Sequence, residues 1–285
     1  MNFPNAETQT PKPVVILVRP QMGENIGAVA RAMANFSLSE LRMIAPRDGW
    51  PNSRAFEVSS GATHILEQAQ IFPDFASATA DCHQLYATTA RPRDMEKRVV
   101  TPREAAKEIA LKCNPHPNLL PEREKELTAP SLLQGEGRGE GYRTALVFGP
   151  ERTGLENAEI AQCDTLITIP TDLEFFSLNL AQSVIVVGYE LFQARHEWQA
   201  TSDEHKQNVL TAHHSSLATK QDWHGLFGQL EGYLDEVNYY RVPEKKEVMW
   251  QNLQTMLMRG QWSAQELQSF RGLLRALWER KRKGS

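Results

Sequence analysis

The chain has 285 residues, 41% of them hydrophobic and 23% charged, with a formal net charge of −4. Those values fit a globular protein with room for one large domain or two smaller ones, and they exclude an overall basic polymer binder while leaving space for a local basic patch. Three cysteines far apart (Cys82, Cys113, Cys163) and eight histidines give no disulfide framework and no metal-ligand spacing, and there is neither a leader pattern nor an apolar run of membrane-spanning length, so the expectation is a cytoplasmic protein without membrane or metal.

Residues 1–12 are polar and proline-containing, the composition of a loose tail. Val14–Val18 is a continuous apolar run, the pattern of a strand buried on both faces. A loop from Arg19 to Glu24 follows, with Asn25 predicted to cap a helix whose Ile26, Val29, Ala30 and Met33 share one face. Arg31 lies roughly 140° around from Ile26 at about 100° per residue, so it faces solvent or a cleft. Leu41–Ala45 is the second predicted strand, 54–70 a helix, and Gln84–Thr88 the third strand. Segment 91–112 holds seven Lys/Arg against four Asp/Glu, and its Thr101-Pro102-Arg103-Glu104 start predicts a helix to Leu111.

Residues 114–143, with four prolines and a Gly-Glu repeat, carry too few large apolar groups to offset ordering entropy and read as a flexible insertion. Leu146–Phe148 and Leu166–Ile169 are the fourth and fifth predicted strands, separated by the turn Gly149-Pro150-Glu151-Arg152-Thr153-Gly154 and a short helical segment. Ser177-Leu178-Asn179-Leu180 opens a run to Phe192 that is apolar on nearly every side and predicts a buried helix. The expected organisation is a domain over 13–195, a polar linker over 196–222 and a helical unit over 223–282. Three amphipathic segments build that unit, the second starting at Pro243 and the third behind a Ser263/Glu266 capping box.

Two strands thus end in polar loops beside a buried helix, where α/β sheets build ligand sites. No Gly-x-Gly-x-x-Gly follows the first strand, and the turn at Gly149 lacks the Gly-Lys-Ser/Thr of a P-loop. Pattern alone leaves an enzyme, a nucleotide-binding module and an RNA-binding scaffold open. On composition alone, Asn25, Ser177 and Asn179 read as helix caps, and Thr88 and Thr89 as a strand end.

Three ordered stretches narrow this: Asn25-Ile26-Gly27-Ala28-Val29-Ala30-Arg31, Val147 to Leu155, and Ile169-Pro170 with Ser177-Leu178-Asn179-Leu180-Ala181. Together they resemble the three motifs of the SPOUT-class RNA 2′-O-methyltransferases, the SpoU/TrmH superfamily, and with the helical appendage the chain is most similar to the TrmJ branch. The resemblance covers about residues 13–113 and 143–282. It implies an α/β SPOUT fold with a parallel sheet, a deep C-terminal trefoil knot, a small helical extension and a homodimer with a shared active site. It further implies S-adenosyl-L-methionine (AdoMet) held by Thr88, Thr89, Ala90, Gly149, Ile169, Ser177, Leu178 and Asn179, with Arg31, Asn25 and Glu151 as catalytic residues. The implied reaction is ribose 2′-O-methylation of tRNA, at nucleotide 32 of the anticodon loop, with ribosomal RNA as the alternative substrate and a non-enzymatic RNA-binding scaffold as the alternative role. Arginines in loops, chiefly Arg19, Arg91 and Arg93 with Arg47, Arg54, Lys97 and Arg98 nearby, are the candidate RNA contacts.

Overall fold

In the computed structural model of the chain, which describes residues 12–90, 97–113, 142–172, 174–202, 217–260 and 262–284, the alternation along β1 (Val14–Val18) sorts the core. Val15 and Leu17 enter one apolar cluster, and Val14, Ile16 and Val18 enter the other. Both faces of the sheet are therefore covered, as a continuous apolar strand requires. β2 (Leu41–Ile44), β4 (Gln84–Thr88), β6 (Thr144–Phe148) and β7 (Thr165–Ile167) occupy the positions predicted for strands, within a few residues at their ends. Two further three-residue strands, β3 (Gln70–Phe72) and β5 (Arg98–Val100), form the edges. The seven strands are all parallel in the order β3-β2-β1-β6-β4-β7-β5.

On one face lie α1 (Gly23–Asn35), α2 (Ser53–Val58), α3 (Thr63–Glu67), α5 (Pro102–Cys113) and α7 (Leu180–Ser202). On the other lie α4 (Phe75–Thr79) and α6 (Asn157–Gln162). The helix predicted over 54–70 is two short helices, because the chain turns at Ser60 (φ 45°) and Gly61 (φ 90°) and then pairs as β3. α1 starts at Gly23 rather than Ile26, and Met22, not Asn25, occupies the N-cap position. Asn25 is thereby in the first turn, with its side chain available for the loops beyond. The predicted stripe of Ile26, Val29, Ala30 and Met33 is buried.

α7 corrects an expectation. It is not buried on every side: Leu180, Val184, Val187 and Leu191 pack inward, but Ile185 and Tyr189 are 43% and 47% exposed. The reason is that α7 lies in the outer layer, packed chiefly against α1 and α5, which leaves part of its far side exposed.

The C-terminal helices α8 (Lys220–Glu236), α9 (Lys246–Met258, entered through a 3₁₀ turn at Pro243–Lys245) and α10 (Ala264–Gly284) share a small core around Trp223, Leu226, Phe227 and Leu267. Ser263 and Glu266 cap α10 reciprocally, as their spacing predicts. α8 leans on α4, and α9 on α6. Lys220, 2% exposed, anchors the unit: its ammonium meets Asp164 at 2.7 Å, and its backbone N–H donates to the Cys82 carbonyl. The expectations placed on the N-terminal tail through residue 11, Arg91, Arg93, most of the insertion and most of the linker lie outside the described residues. α7 itself continues to Ser202, beyond the predicted domain end at 195.

Candidate active site

The carboxyl ends of β4, β6 and β7 open into a cavity of about 210 Å³. Its lining includes Thr88, Thr89, Ala90, Gly149, Ile169, Ser177 and Leu178, seven of the eight residues proposed for the cofactor. The eighth, Asn179, stands beside it and serves two neighbours. Its Oδ1 accepts the Ala181 N–H at 2.8 Å, capping α7, and its Nδ2 donates to Asn25 Oδ1 at 3.1 Å.

That second bond is one link of a chain. Asn25 Nδ2 donates to Glu151 Oε1 at 2.7 Å, and the other oxygen of Glu151 accepts the Gln21 N–H at 3.0 Å. Residues separated by 126 and 154 positions are thus tied side chain to side chain, and the three sequence motifs meet. Glu151 has an acceptor bond on each oxygen, which fits an orienting carboxylate better than a proton acceptor.

Gly149 is required for a reason the sequence reading did not give. A Cβ there would collide with the backbone of Gly154 and Leu155, so the turn after β6 folds back on its own start. Gly154 completes the turn at φ 67°, its N–H bonded to the Pro150 carbonyl at 2.8 Å. The same fold-back brings Arg152 and Leu155 into the lining, where Phe176 joins them from the loop before α7. Arg152 and Phe176 were not singled out from the sequence. Arg152 falls inside the second motif stretch and Phe176 lies immediately before Ser177 of the third, so closeness to a motif was the only signal available.

Arg31 does not join this group. It is exposed on α1, six residues after Asn25 and hence about 9 Å along the axis and roughly 120° around it. Arg19 is turned inward instead of toward a free surface. At φ 46° its guanidinium bonds Glu159 at 2.5 and 3.2 Å and meets Glu156 at 3.0 Å, and these contacts raise its pKa against the opposing effect of burial. Arg47 is paired with Asp48, Arg54 with Glu57 and Arg98 with Glu108. Lys97 and Arg98 stand where β5 begins, at the opposite ends of the strands from the cavity.

Neither described thiol offers nucleophilic chemistry. Burial pushes both Cys82 and Cys163 up to about 12, so they stay protonated near neutrality. Among the described residues no group of three or more His, Cys, Asp or Glu is placed to hold a metal, and no helix is long and apolar enough to cross a membrane.

Residues 12–189 match the SpoU rRNA Methylase family. The chain is similar to the tRNA (cytidine/uridine/adenosine-2′-O-)-methyltransferase TrmJ of Pseudomonas aeruginosa, at 31% identity over 264 residues and 91% of each chain. It is similar to the tRNA (cytidine/uridine-2′-O-)-methyltransferase TrmJ of Citrobacter koseri, at 30% identity over 95% of this chain and 97% of that one. Among solved structures, TrmJ from Z. mobilis superposes with a TM-score of 0.74 at 38% identity, covering 93% of this chain and 99% of its own.

Proposed function

The chain belongs to the SpoU methylase family and groups there with TrmJ relatives, which are RNA methyltransferases, and from that premise we propose that it transfers a methyl group to a ribose 2′-oxygen of tRNA, at nucleotide 32 of the anticodon loop. One observation carries this reading: the Asn179–Asn25–Glu151 chain gathers all three motifs at the rim of a single cavity.

The cavity suits AdoMet. Small Thr88, Thr89 and Ala90 form one wall, apolar Phe148, Leu155, Ile167 and Ile169 accept a flat nucleoside, and Glu151 supplies negative charge near a cationic ligand. AdoMet, when bound, supplies an electrophilic sulfonium methyl. This chain's residues supply alignment, which is a large part of any two-centre transfer. Glu151 fixes the Asn25 amide, and Asn179 fixes it from the other side, so Asn25 is a rigid contact for the ribose. Arg31 pins the adjoining phosphate and polarises the 2′-hydroxyl, and phosphate or water takes the proton.

The same reading includes a homodimer with a shared site, a trefoil knot, the domain division given above and a cytoplasmic setting. The dimer is supported by the exposed Ile185 and Tyr189, four residues apart on one face of α7, and by Phe175 at 80% exposure in the loop before it. A cavity of about 210 Å³ lies below the roughly 300–1,000 Å³ of complete small-molecule sites, as expected if a second copy closes it. The knot is supported by the late strands β6 and β7, each inserted between earlier ones, and by the fold-back at Gly149.

Incubation with methyl-labelled AdoMet and a tRNA pool, followed by mapping of the modified nucleotide, tests the proposal. Label at position 32 is expected, and pools of single base identity at that position give the base preference. Label confined to ribosomal RNA overturns the tRNA assignment, and AdoMet binding without any transfer points to the scaffold role.

A further inference from the structure

A second cavity, about 340 Å³, lies at the other pole of the sheet, in the seam with the C-terminal helical unit. Gln84, Arg98 and Thr165, the first residues of β4, β5 and β7, line it, whereas the methyltransferase cavity lies at the far ends of β4 and β7. A strand of five residues separates the two by roughly 15 Å. From its walls we infer that this seam is a binding site for one nucleotide, held by its phosphate and its base.

Three independent features carry the inference. The first is charge. Lys97 is held in the wall by two carbonyls, donating to Ala161 and Cys163 at 2.7 Å each, and no carboxylate pairs with it among the described residues. An ammonium has three protons, and the third is available to an anion. The acid in the wall, Asp164, is already matched by Lys220 and by the Leu85 N–H, and Arg259 adds positive charge at the exposed mouth. The second feature is an orphan. Thr255 is 6% exposed, lines the cavity, and its hydroxyl has no hydrogen-bond partner among the described residues. Buried hydroxyls are rarely left unpaired, and rotation about χ1 would present this one to a ligand oxygen. The third is aromatic surface: the half-buried Tyr142 and Trp262 stand in the same walls, and the buried Trp223 backs Trp262 edge to face at 6.1 Å. Gly260 keeps Trp262 there, since a Cβ at that position would strike the indole nitrogen. Cation, hydroxyl and stacking surface together are the chemistry that holds single nucleotides. The volume, near the lower end of small-molecule sites at roughly 300 Å³, limits the occupant to about one such unit.

That unit could be a free nucleotide or one nucleotide of an RNA chain, and one titration separates them. Calorimetry on the full chain uses cytidine monophosphate, cytidine and inorganic phosphate. S-adenosylhomocysteine is present throughout, to fill the other cavity if the methyltransferase reading holds and with no effect on the outcome if it does not. Cytidine monophosphate is expected to bind at least about tenfold more tightly than either fragment, with Thr255→Val weakening it about fivefold and Arg259→Gln about tenfold. Both variants should unfold at the temperature of the parent. Equal affinity for phosphate alone, no saturable heat with the nucleotide, or unchanged affinity in both variants overturns the site. Where binding is seen, displacement by tRNA assigns it to the RNA chain, and indifference to bound tRNA assigns it to a free nucleotide.

Discussion

Glu151 accepts a hydrogen bond on each carboxylate oxygen, from Asn25 at 2.7 Å and from the Gln21 N–H at 3.0 Å, so its place is set from two directions. Asn25→Asp would set two carboxylates within that distance. One of them must then take up a proton, because like charges so close cannot both ionise. The expected outcome is a loss of stability of about 1–3 kcal/mol at pH 8 that is recovered toward pH 5, read from thermal unfolding across that range. A pH-independent loss would show that the contact is only steric. Gly149→Ala makes a second prediction. The clash is with backbone, not with a side chain that can rotate away, so about 1–3 kcal/mol should be lost together with cofactor affinity, measured by urea unfolding and calorimetry. Retention of both would mean the turn can open. From the sequence, Gly149 enters only as a cofactor residue that the resemblance implies. The structure adds the chain's own return path, which no local pattern encodes because Leu155 and Gly149 meet only in the folded turn.

At the scale of elements, legibility followed length and apolar continuity. β1, β4 and β6 are five-residue runs buried on both faces, and they were readable because nothing else explains such runs. β3 and β5 have three residues each, partly exposed at the sheet edges, too short for any period to register. β5 also hid inside a charged segment whose Lys97 was expected among the RNA contacts, and in the fold it is a strut between β5 and the carboxyl end of α6. Burial lowers that ammonium to about 8, with Lys220 and Arg259 adding repulsion. The unfolded chain keeps its proton to about 10.4, so between about pH 8 and 10 the unfolded state binds more protons. The contribution of Lys97 to stability therefore rises with pH across that window and is lost as pH falls through 8. Urea unfolding at pH 7.5 and 9.5 should show this rise in the parent and a flatter response in Lys97→Met, and equal responses would assign the amine an ordinary pKa.

For the whole molecule, the proposed site needs an arginine that the cavity-lining residues of one chain do not place beside Asn25. Asn25, Glu151, Asn179 and the cavity belong together, but Arg31 of the same helix points about 120° away from Asn25, into solvent. Arg31 is exposed and turned away from the Asn25–Glu151 contact, so on the proposed reading the Arg31 that serves a given cavity comes from a second copy. Sequence reasoning reached Arg31 through its motif, yet one-dimensional order cannot say whose cavity it faces. Complementation can. Arg31→Ala and Glu151→Gln should each abolish methyl transfer as pure variants while leaving the dimer intact. Mixed through a cycle of dissociation and reassociation, half the dimers pair one variant with the other, and each such dimer holds one cavity with Glu151 and a facing Arg31 that are both intact. Activity should return to roughly a quarter of the parent level. If Arg31 acted within its own chain, every cavity in the mixture would lack one residue or the other, and no activity would return. Arg31→Lys then separates geometry from charge at the assembled site: a steep loss of transfer with tRNA affinity kept requires the planar fork of arginine, whereas full activity would reduce its role to a point charge.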